Sequence, residues 1–267
     1  MKLNYLDQGS GEPVVLMHGL FGSLNNLGSL TRSLLDKYRV IGIDLRNHGD
    51  SPHQQAMDYP LMAADVIELL DDLGIATANL IGHSMGGKVA MQIALTYPER
   101  LNKMVIVDIA PVNYESHHGD ILDGLKQLSE TEITSRTEAD KLLAAYEPEI
   151  GVRAFLLKNL KKLPTGGYGL RLNLTSIVAN YHTSLVVAPQ GEPFPGEVLF
   201  VKGENSSYIQ TQHREMILNL FPAAKIKTMT GTGHWLHAEK PETFNKLVHH
   251  FLESGRSIEV GIDRAGL

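Results

Sequence analysis

Residues 78 to 97 decide the fold of this chain, and they read Ala78-Asn-Leu-Ile-Gly-His-Ser-Met-Gly-Gly-Lys-Val-Ala-Met-Gln-Ile-Ala-Leu-Thr-Tyr97. A short apolar run leads into Gly82-His-Ser-Met-Gly86, and apolar residues at helical spacing follow it. The pattern predicts a strand, a sharp turn with Ser84 at its apex, and a helix. The residues that carry the helical spacing are Val89, Ala90, Ile93 and Ala94.

The turn has the G-x-S-x-G spacing of a nucleophile elbow. Side chains at positions 82 and 86 would collide with neighbouring backbone, so glycine is expected at both. The turn exposes the Ser84 hydroxyl, and the N-terminus of the next helix directs free amides and a positive dipole end towards it. Glycine and serine are common, so the motif alone is not specific. The interpretation therefore requires a base, an acid and anion-binding groups elsewhere in the chain.

Composition excludes several classes of function. The 267 residues, 43% apolar and 20% charged, are typical of a globular protein with one large domain or a core with an insertion. The net charge of −6 argues against a nucleic-acid partner. The absence of cysteine excludes disulfides and thiolate chemistry. The N-terminus has no apolar leader and no stretch is long enough to span a bilayer, so we expect no membrane association and a cytoplasmic location.

Apolar runs alternate with helical patterns along much of the chain. This alternation predicts a mostly parallel, doubly wound α/β sheet with helices on both faces. His18, Asp44, Ser84 and Asp108 each fall at or just past the end of a predicted strand, where ligands bind in such sheets. The predicted strands are 14–17, 39–44, 78–82, 103–108, 197–202 and 225–229.

The alternation stops between residues 112 and 190, where amphipathic helical stretches replace buried strands. We predict a core formed by residues 1–111 and 191–254, a helical cap in residues 112–190, and a loosely held tail in residues 255–267. A cap over the strand ends would exclude water and shape a substrate pocket. The predicted cap helices include one through Phe155, Leu156, Leu160 and Leu163. Its lysines are interpreted as a solvated face rather than a phosphate site.

His234 is the strongest candidate for the base that a serine nucleophile requires. The chain has 12 histidines, and His234 lies in the Gly-rich loop that follows the last predicted strand. It comes after the serine and a strand-end aspartate, which is the order this type of fold uses. His237 is the nearest rival, but it should already belong to the following helix.

Two backbone amides are candidates for an oxyanion hole. One is that of Leu20, in the loop His18-Gly-Leu-Phe-Gly22, and the other is that of Met85, directly after Ser84. A plain strand-to-helix turn with two glycines is the alternative interpretation of the first loop.

The segments His18-Gly19, Gly82-His-Ser-Met-Gly86 and Gly233-His234 together resemble the α/β-hydrolase family. The resemblance covers nearly the whole chain and is weakest in the insertion and the tail. It implies an α/β-hydrolase fold and a hydrolase of short to medium acyl esters, with acyl-CoA thioesters as a further substrate class. It also implies a reaction without a cofactor.

The carboxylate that would orient His234 is not at the position most common in that family. Many members carry it in a Gly-x-x-Asp context after the seventh strand, where this chain has Lys202-Gly-Glu-Asn-Ser206. Asp108, after the strand beside the elbow strand, is the natural substitute and is also favoured by the resemblance. The alternatives are Asp44, which the family's strand order places far from the histidine loop, and Glu204, two residues from the usual position. The resemblance suggests Ser206 as a fourth member, although a loop-capping hydroxyl is an equal alternative.

The sequence therefore predicts an esterase that uses Ser84, His234 and Asp108 on a small-molecule acyl ester. The same residues serve C–C bond hydrolysis, peracid formation and lactone opening, and a ligand receptor with little turnover keeps the same fold. A metal site is disfavoured because no histidine or carboxylate spacing groups metal ligands together. The expected assembly is a monomer or a homodimer.

Overall fold

The computed structural model describes residues 1–116 and 118–254. Helices and strands alternate along most of that part of the chain. Its strands are β1 (Tyr5–Gly9), β2 (Glu12–Met17), β3 (Tyr38–Ile43), β4 (Ala78–His83), β5 (Leu101–Val107), β6 (Leu160–Lys162), β7 (Tyr168–Leu170), β8 (Glu197–Gly203) and β9 (Ala224–Met229). Its α-helices are α1 (Gly28–Leu34), α2 (Tyr59–Asp72), α3 (Met85–Thr96), α4 (Gly119–Glu130), α5 (Arg136–Leu143), α6 (Ile150–Leu156), α7 (Leu174–Asn180), α8 (Arg214–Leu220), α9 (Leu236–Glu239) and α10 (Pro241–Glu253).

A seven-stranded sheet organises the described residues, in the order β1-β3-β2-β4-β5-β8-β9. Only β1 runs antiparallel to its neighbour in this sheet, and every other pair is parallel. The chain moves outwards from β2 to β3 and then returns to the other side of β2 with β4. This change of direction leaves a crevice at the carboxyl ends of β2 and β4, where ligands bind in open parallel sheets. The predicted doubly wound α/β architecture is confirmed.

Both faces of the sheet are covered, which explains why its central strands are continuously apolar. Within β2, Val15 and Met17 belong to one hydrophobic core, and Val14 and Leu16 belong to the other. Helices α2 and α3 and most of the cap pack in the first core. Helices α1 and α10 pack in the second.

Residues 112–190, called the cap below, connect β5 to β8. They include four of the α-helices, α4 to α7, and a small β6–β7 hairpin. The division of the chain at residues 111/112 and 190/191 remains a prediction. The predicted tail, residues 255–267, lies outside the described residues. No described helix combines the length and the apolar character needed to cross a membrane.

The predicted helix through residues 155–163 is wrong in its second half. Helix α6 ends at Leu156, and Leu160 begins strand β6. The leucine spacing imitates a helix, but Gly166 and Gly167 have positive φ angles of 95° and 72°. That left-handed backbone suits glycine and turns the chain back. The turn is closed by the Leu163 amide, which donates to the Gly167 carbonyl at 3.1 Å.

Two fully buried histidines hold the loops that follow β2 and β3. His18 Nδ1 lies 2.8 Å from the Gly19 carbonyl, and its Nε2 accepts the Leu45 amide at 3.0 Å. His48 Nε2 accepts the Phe21 amide at 3.1 Å. These bonds require neutral imidazoles, and burial lowers the pKa of His18 to about 4 and that of His48 to about 3. Both side chains support loop structure.

These histidines predict an acid-sensitive fold. A pKa that is lower in the folded state than its ordinary value of 6.5 means that the unfolded chain takes up the proton first as pH falls. The free energy of unfolding should therefore decrease by about 3 kcal/mol between pH 6.5 and about 4 because of His18 alone, and His48 should extend the decrease to about pH 3. Urea unfolding at a series of pH values measures this change.

The matched variant is His18→Asn, which keeps a donor but cannot titrate. We expect it to be less stable than the wild type at neutral pH, yet to lose less stability between neutral pH and pH 4. Parallel stability curves for the two proteins would contradict the role given to His18.

Candidate active site

Ser84 occupies the tight turn between β4 and α3. Its φ angle is 52°, and its amide donates to the Val107 carbonyl of the neighbouring strand at 2.9 Å. A Cβ atom at Gly82 would lie 2.2 Å from the Gly86 carbonyl oxygen, and one at Gly86 would lie 2.4 Å from the Met17 carbonyl oxygen. Both glycines are therefore needed for the chain to pass this close to itself. The turn leaves Ser84 partly exposed in the crevice.

Asp108 lies beside that turn because β5 pairs with β4. The pairing of His83 with Val107 places Ser84 and Asp108 each one residue past the ends of neighbouring strands. The Asp108 side chain is fully buried, and its backbone has a φ angle of 52°. Its carboxylate accepts three hydrogen bonds, from the Gly203 amide at 3.0 Å, from the Ser206 hydroxyl, and from His234 Nδ1 at 2.8 Å.

His234 reaches Asp108 from the loop after β9. Two carboxylates hold this loop: Glu204 accepts the Gly231 amide and Glu239 accepts the Gly233 amide, each at 2.7 Å. The His234 ring stacks on Tyr208 with centroids 4.1 Å apart and planes inclined by 24°. The imidazole is therefore fixed from its edge by a carboxylate and from its face by an aromatic ring.

Ser84 and His234 line the same cavity, whose volume is about 220 Å³. Among the described residues, no hydrogen bond joins the Ser84 hydroxyl to the His234 imidazole. Such contacts are often long in unliganded enzymes and tighten when substrate binds. The arrangement is suited to proton transfer between a serine and an imidazole that a buried carboxylate orients.

The loop after β2 brings the Leu20 amide beside Ser84, and the Met85 amide directly follows Ser84 in the chain. A Cβ atom at Gly19 would lie 3.2 Å from Ser84 Cβ, so the loop passes directly beside the turn. Neither the Leu20 amide nor the Met85 amide has a hydrogen-bond acceptor among the described residues. Free amides next to Ser84 are available to an anion that forms there.

The two alternative acids, Asp44 and Glu204, form hydrogen bonds to loop amides. The Asp44 carboxylate accepts the amides of Leu24 and Asp50 at 2.7 and 2.9 Å, and so shapes the loop that follows β3. Glu204 bonds to the Gly231 amide instead of an imidazole. Of the three carboxylates considered from the sequence, only Asp108 contacts a histidine of the crevice.

The rival histidines do not occupy the position of His234. His237 lies inside the short helix α9, where burial lowers its pKa to about 3. His83 Nε2 lies 3.0 Å from the His234 carbonyl oxygen and so supports the same loop. His182 bonds to Ser116 on the exposed surface of the cap, and His117 lies outside the described residues.

Lys88 was missed by the sequence analysis. It lies in the first turn of α3 and is 1% exposed. Its ammonium donates to three backbone carbonyls: Val112 at 3.0 Å, Val186 at 3.1 Å and Val187 at 2.6 Å. Val112 begins the cap, and Val186 and Val187 lie near its end. Lys88 therefore links both ends of the cap to helix α3 by hydrogen bonds. Burial lowers the pKa of Lys88 to about 7. The signal available in the sequence was a single charged residue in a helix that is otherwise uncharged and mostly apolar.

Comparisons with known proteins identify the family. The model of a family described as alpha/beta hydrolase fold matches residues 12–131. Esterase YbfF of Escherichia coli is 37% identical over 94% of this chain and 99% of its own length. The sn-1-specific diacylglycerol lipase ABHD11 of Mus musculus is 39% identical over 94% of this chain and 85% of its own length.

A solved structure supports the same relationship. The structure named marine microorganism esterase superposes with a TM-score of 0.91 at 37% identity, and the match covers 94% of this chain and 99% of that one. The fold, the turn at Ser84 and these relatives lead to one conclusion: the chain belongs to the α/β-hydrolase family.

Proposed function

We propose that this protein is a serine esterase that hydrolyses carboxylic esters through Ser84, His234 and Asp108. The observation that carries the proposal is the Asp108–His234 contact of 2.8 Å beside a cavity that holds both the imidazole and the Ser84 hydroxyl. Relatives that are named esterase and lipase support the ester class of substrate. The reaction needs no cofactor, because the serine, the imidazole and water supply every reacting group.

In the first half of the reaction, the Ser84 oxygen attacks the ester carbonyl carbon while His234 accepts the hydroxyl proton. Collapse of the tetrahedral intermediate breaks the bond to the alcohol oxygen, and His234 returns the same proton to that oxygen. The products are a free alcohol and an acyl group on Ser84. Asp108 keeps the imidazole in the required tautomer and stabilises its charged form.

In the second half, water repeats the sequence. His234 takes a proton from water, the resulting hydroxide attacks the acyl carbonyl, and the bond to Ser84 breaks as the proton returns to the serine oxygen. The Leu20 and Met85 amides receive the oxyanion in both halves, a contribution of about 3 kcal/mol for each donor.

Ser206 acts as a positioning residue in this proposal. Its hydroxyl donates to Asp108 and accepts the Tyr208 amide at 3.3 Å, so it satisfies a carboxylate that is out of reach of solvent. This arrangement links the carboxylate to the segment that carries the ring stacked on His234.

Acyl-CoA thioester hydrolysis, the cytoplasmic location and a monomeric or homodimeric state remain predictions. A thioester follows the same steps with a thiolate as leaving group, so rates on an ester and a thioester of one acyl group separate the two activities. C–C bond hydrolysis, peracid formation, lactone opening and a receptor role become the leading hypotheses if folded protein hydrolyses no ester.

Ser84→Ala should abolish turnover of p-nitrophenyl esters, with a loss of at least about 10⁴-fold in kcat, because no other group replaces the nucleophile. The loss should occur without a change in cooperative unfolding. The matched control is Ser207→Ala, which removes an exposed serine hydroxyl and should leave the rate unchanged. Wild-type activity in the Ser84 variant would refute the proposal.

Asp108→Asn should lower kcat by about 10⁴-fold, because an amide cannot stabilise the imidazolium and favours the wrong tautomer. Glu204→Gln is the matched control: it changes a carboxylate of the same crevice edge that contacts only the loop amide, and it should cost little activity. Steady-state rates of both variants decide the assignment. A large loss in the Glu204 variant alone would transfer the acid role to that residue.

A further inference from the structure

Two cavities of different size meet at Ser84. The larger is the cavity of about 220 Å³ that also contains His234, and it is called the histidine-side cavity. The smaller has a volume of about 50 Å³ and contains Met85 and Lys88 but not His234, and it is called the lysine-side cavity. Ser84 and Leu20 line both, so a carbonyl at the serine would extend one substituent into each.

The chemistry of ester cleavage assigns the two substituents. His234 must reach both the serine oxygen and the alcohol oxygen, because it carries the proton from one to the other. The alcohol therefore leaves on the side of the imidazole, in the histidine-side cavity. The carbonyl oxygen accepts hydrogen bonds from the amides of Leu20 and Met85. The acyl substituent then points away from the imidazole and enters the lysine-side cavity.

Hydrogen-bonded groups form part of the wall of the lysine-side cavity. Lys88 lines it and is held by three carbonyls from both boundaries of the cap. Tyr59 and Leu185 also line it, and the Tyr59 hydroxyl donates to the Leu185 carbonyl at 2.6 Å. An acyl chain that extended past these residues would have to break their hydrogen bonds or leave buried polar groups unpaired, which is costly.

The histidine-side cavity is larger and borders another cavity. It shares Val152, Phe155 and Trp235 with a further cavity of about 500 Å³. That outer cavity is also lined by Lys158 and Glu149, which are exposed. The histidine-side cavity therefore offers a leaving group more room than the lysine-side cavity offers an acyl group.

We propose that the lysine-side cavity is the acyl site and that the histidine-side cavity receives the leaving group, so that the enzyme prefers esters of short acyl groups with bulky alcohols. Leu185 limits the acyl length and Ile121, in the histidine-side cavity, contacts the alcohol. This inference rests on the proposed esterase function and specifies its substrate class.

Two ester series test the assignment on the wild-type protein. The first varies the acyl group from acetate through butyrate to octanoate with p-nitrophenol as the common leaving group. The second varies the alcohol from ethyl to octyl and naphthyl with acetate as the common acyl group. We expect kcat/KM to fall by about tenfold or more between butyrate and octanoate, and to hold or rise as the alcohol grows.

Leu185→Ala and Ile121→Ala are matched apolar truncations in the two cavities. We expect Leu185→Ala to relieve the penalty on octanoate without altering the alcohol series, and Ile121→Ala to alter only the alcohol series. Thermal unfolding of both variants confirms that they are folded. If Leu185→Ala does not fold, the wild-type acyl and alcohol profiles still decide the assignment.

The outcomes separate the two proposals. Hydrolysis of octanoyl esters as fast as butyryl esters, or an acyl profile that responds to Ile121→Ala alone, would overturn the cavity assignment and leave the esterase function intact. Folded wild-type protein that hydrolyses no member of either series would refute the esterase function, and the assignment with it.

Discussion

The buried carboxylate of Asp108 is the constraint on which the site depends. It is fully enclosed and accepts hydrogen bonds from the end of β8, from Ser206 and from His234. A buried charge that loses its partners is strongly destabilising, so these segments are held to one geometry. The left-handed backbone of Asp108 turns its side chain into this position, and such strain persists only where surrounding structure enforces it.

Much of this arrangement follows from the sequence, for a physical reason. The carboxyl ends of neighbouring parallel strands lie at the same edge of a sheet. Strand pairing alone therefore places strand-end residues such as Ser84 and Asp108 close together. The glycines at positions 82 and 86 specify the turn because the chain passes within contact distance of itself there. The order of serine, aspartate and histidine along the chain then indicates His234 as the histidine that acts with Ser84 and Asp108.

The features that escaped prediction depend on contacts between distant segments. Lys88 bonds to carbonyls that are 24, 98 and 99 residues away, and no local pattern specifies such partners. Tyr208 stacks on His234 only because two loops after neighbouring strands meet. Strand β6 falls where the leucine spacing predicts a helix, and the turn at Gly166 and Gly167, which pairs it with β7, determines the strand.

Covalent labelling tests the central claim most directly, since an activated serine reacts with an alkyl fluorophosphonate and an ordinary serine does not. Peptide mass spectrometry of the treated protein should locate one adduct, on Ser84. The labelling rate should collapse in His234→Ala, because the imidazole activates the hydroxyl. An adduct on another residue, or an equal labelling rate without His234, would contradict a serine nucleophile that is activated by this histidine.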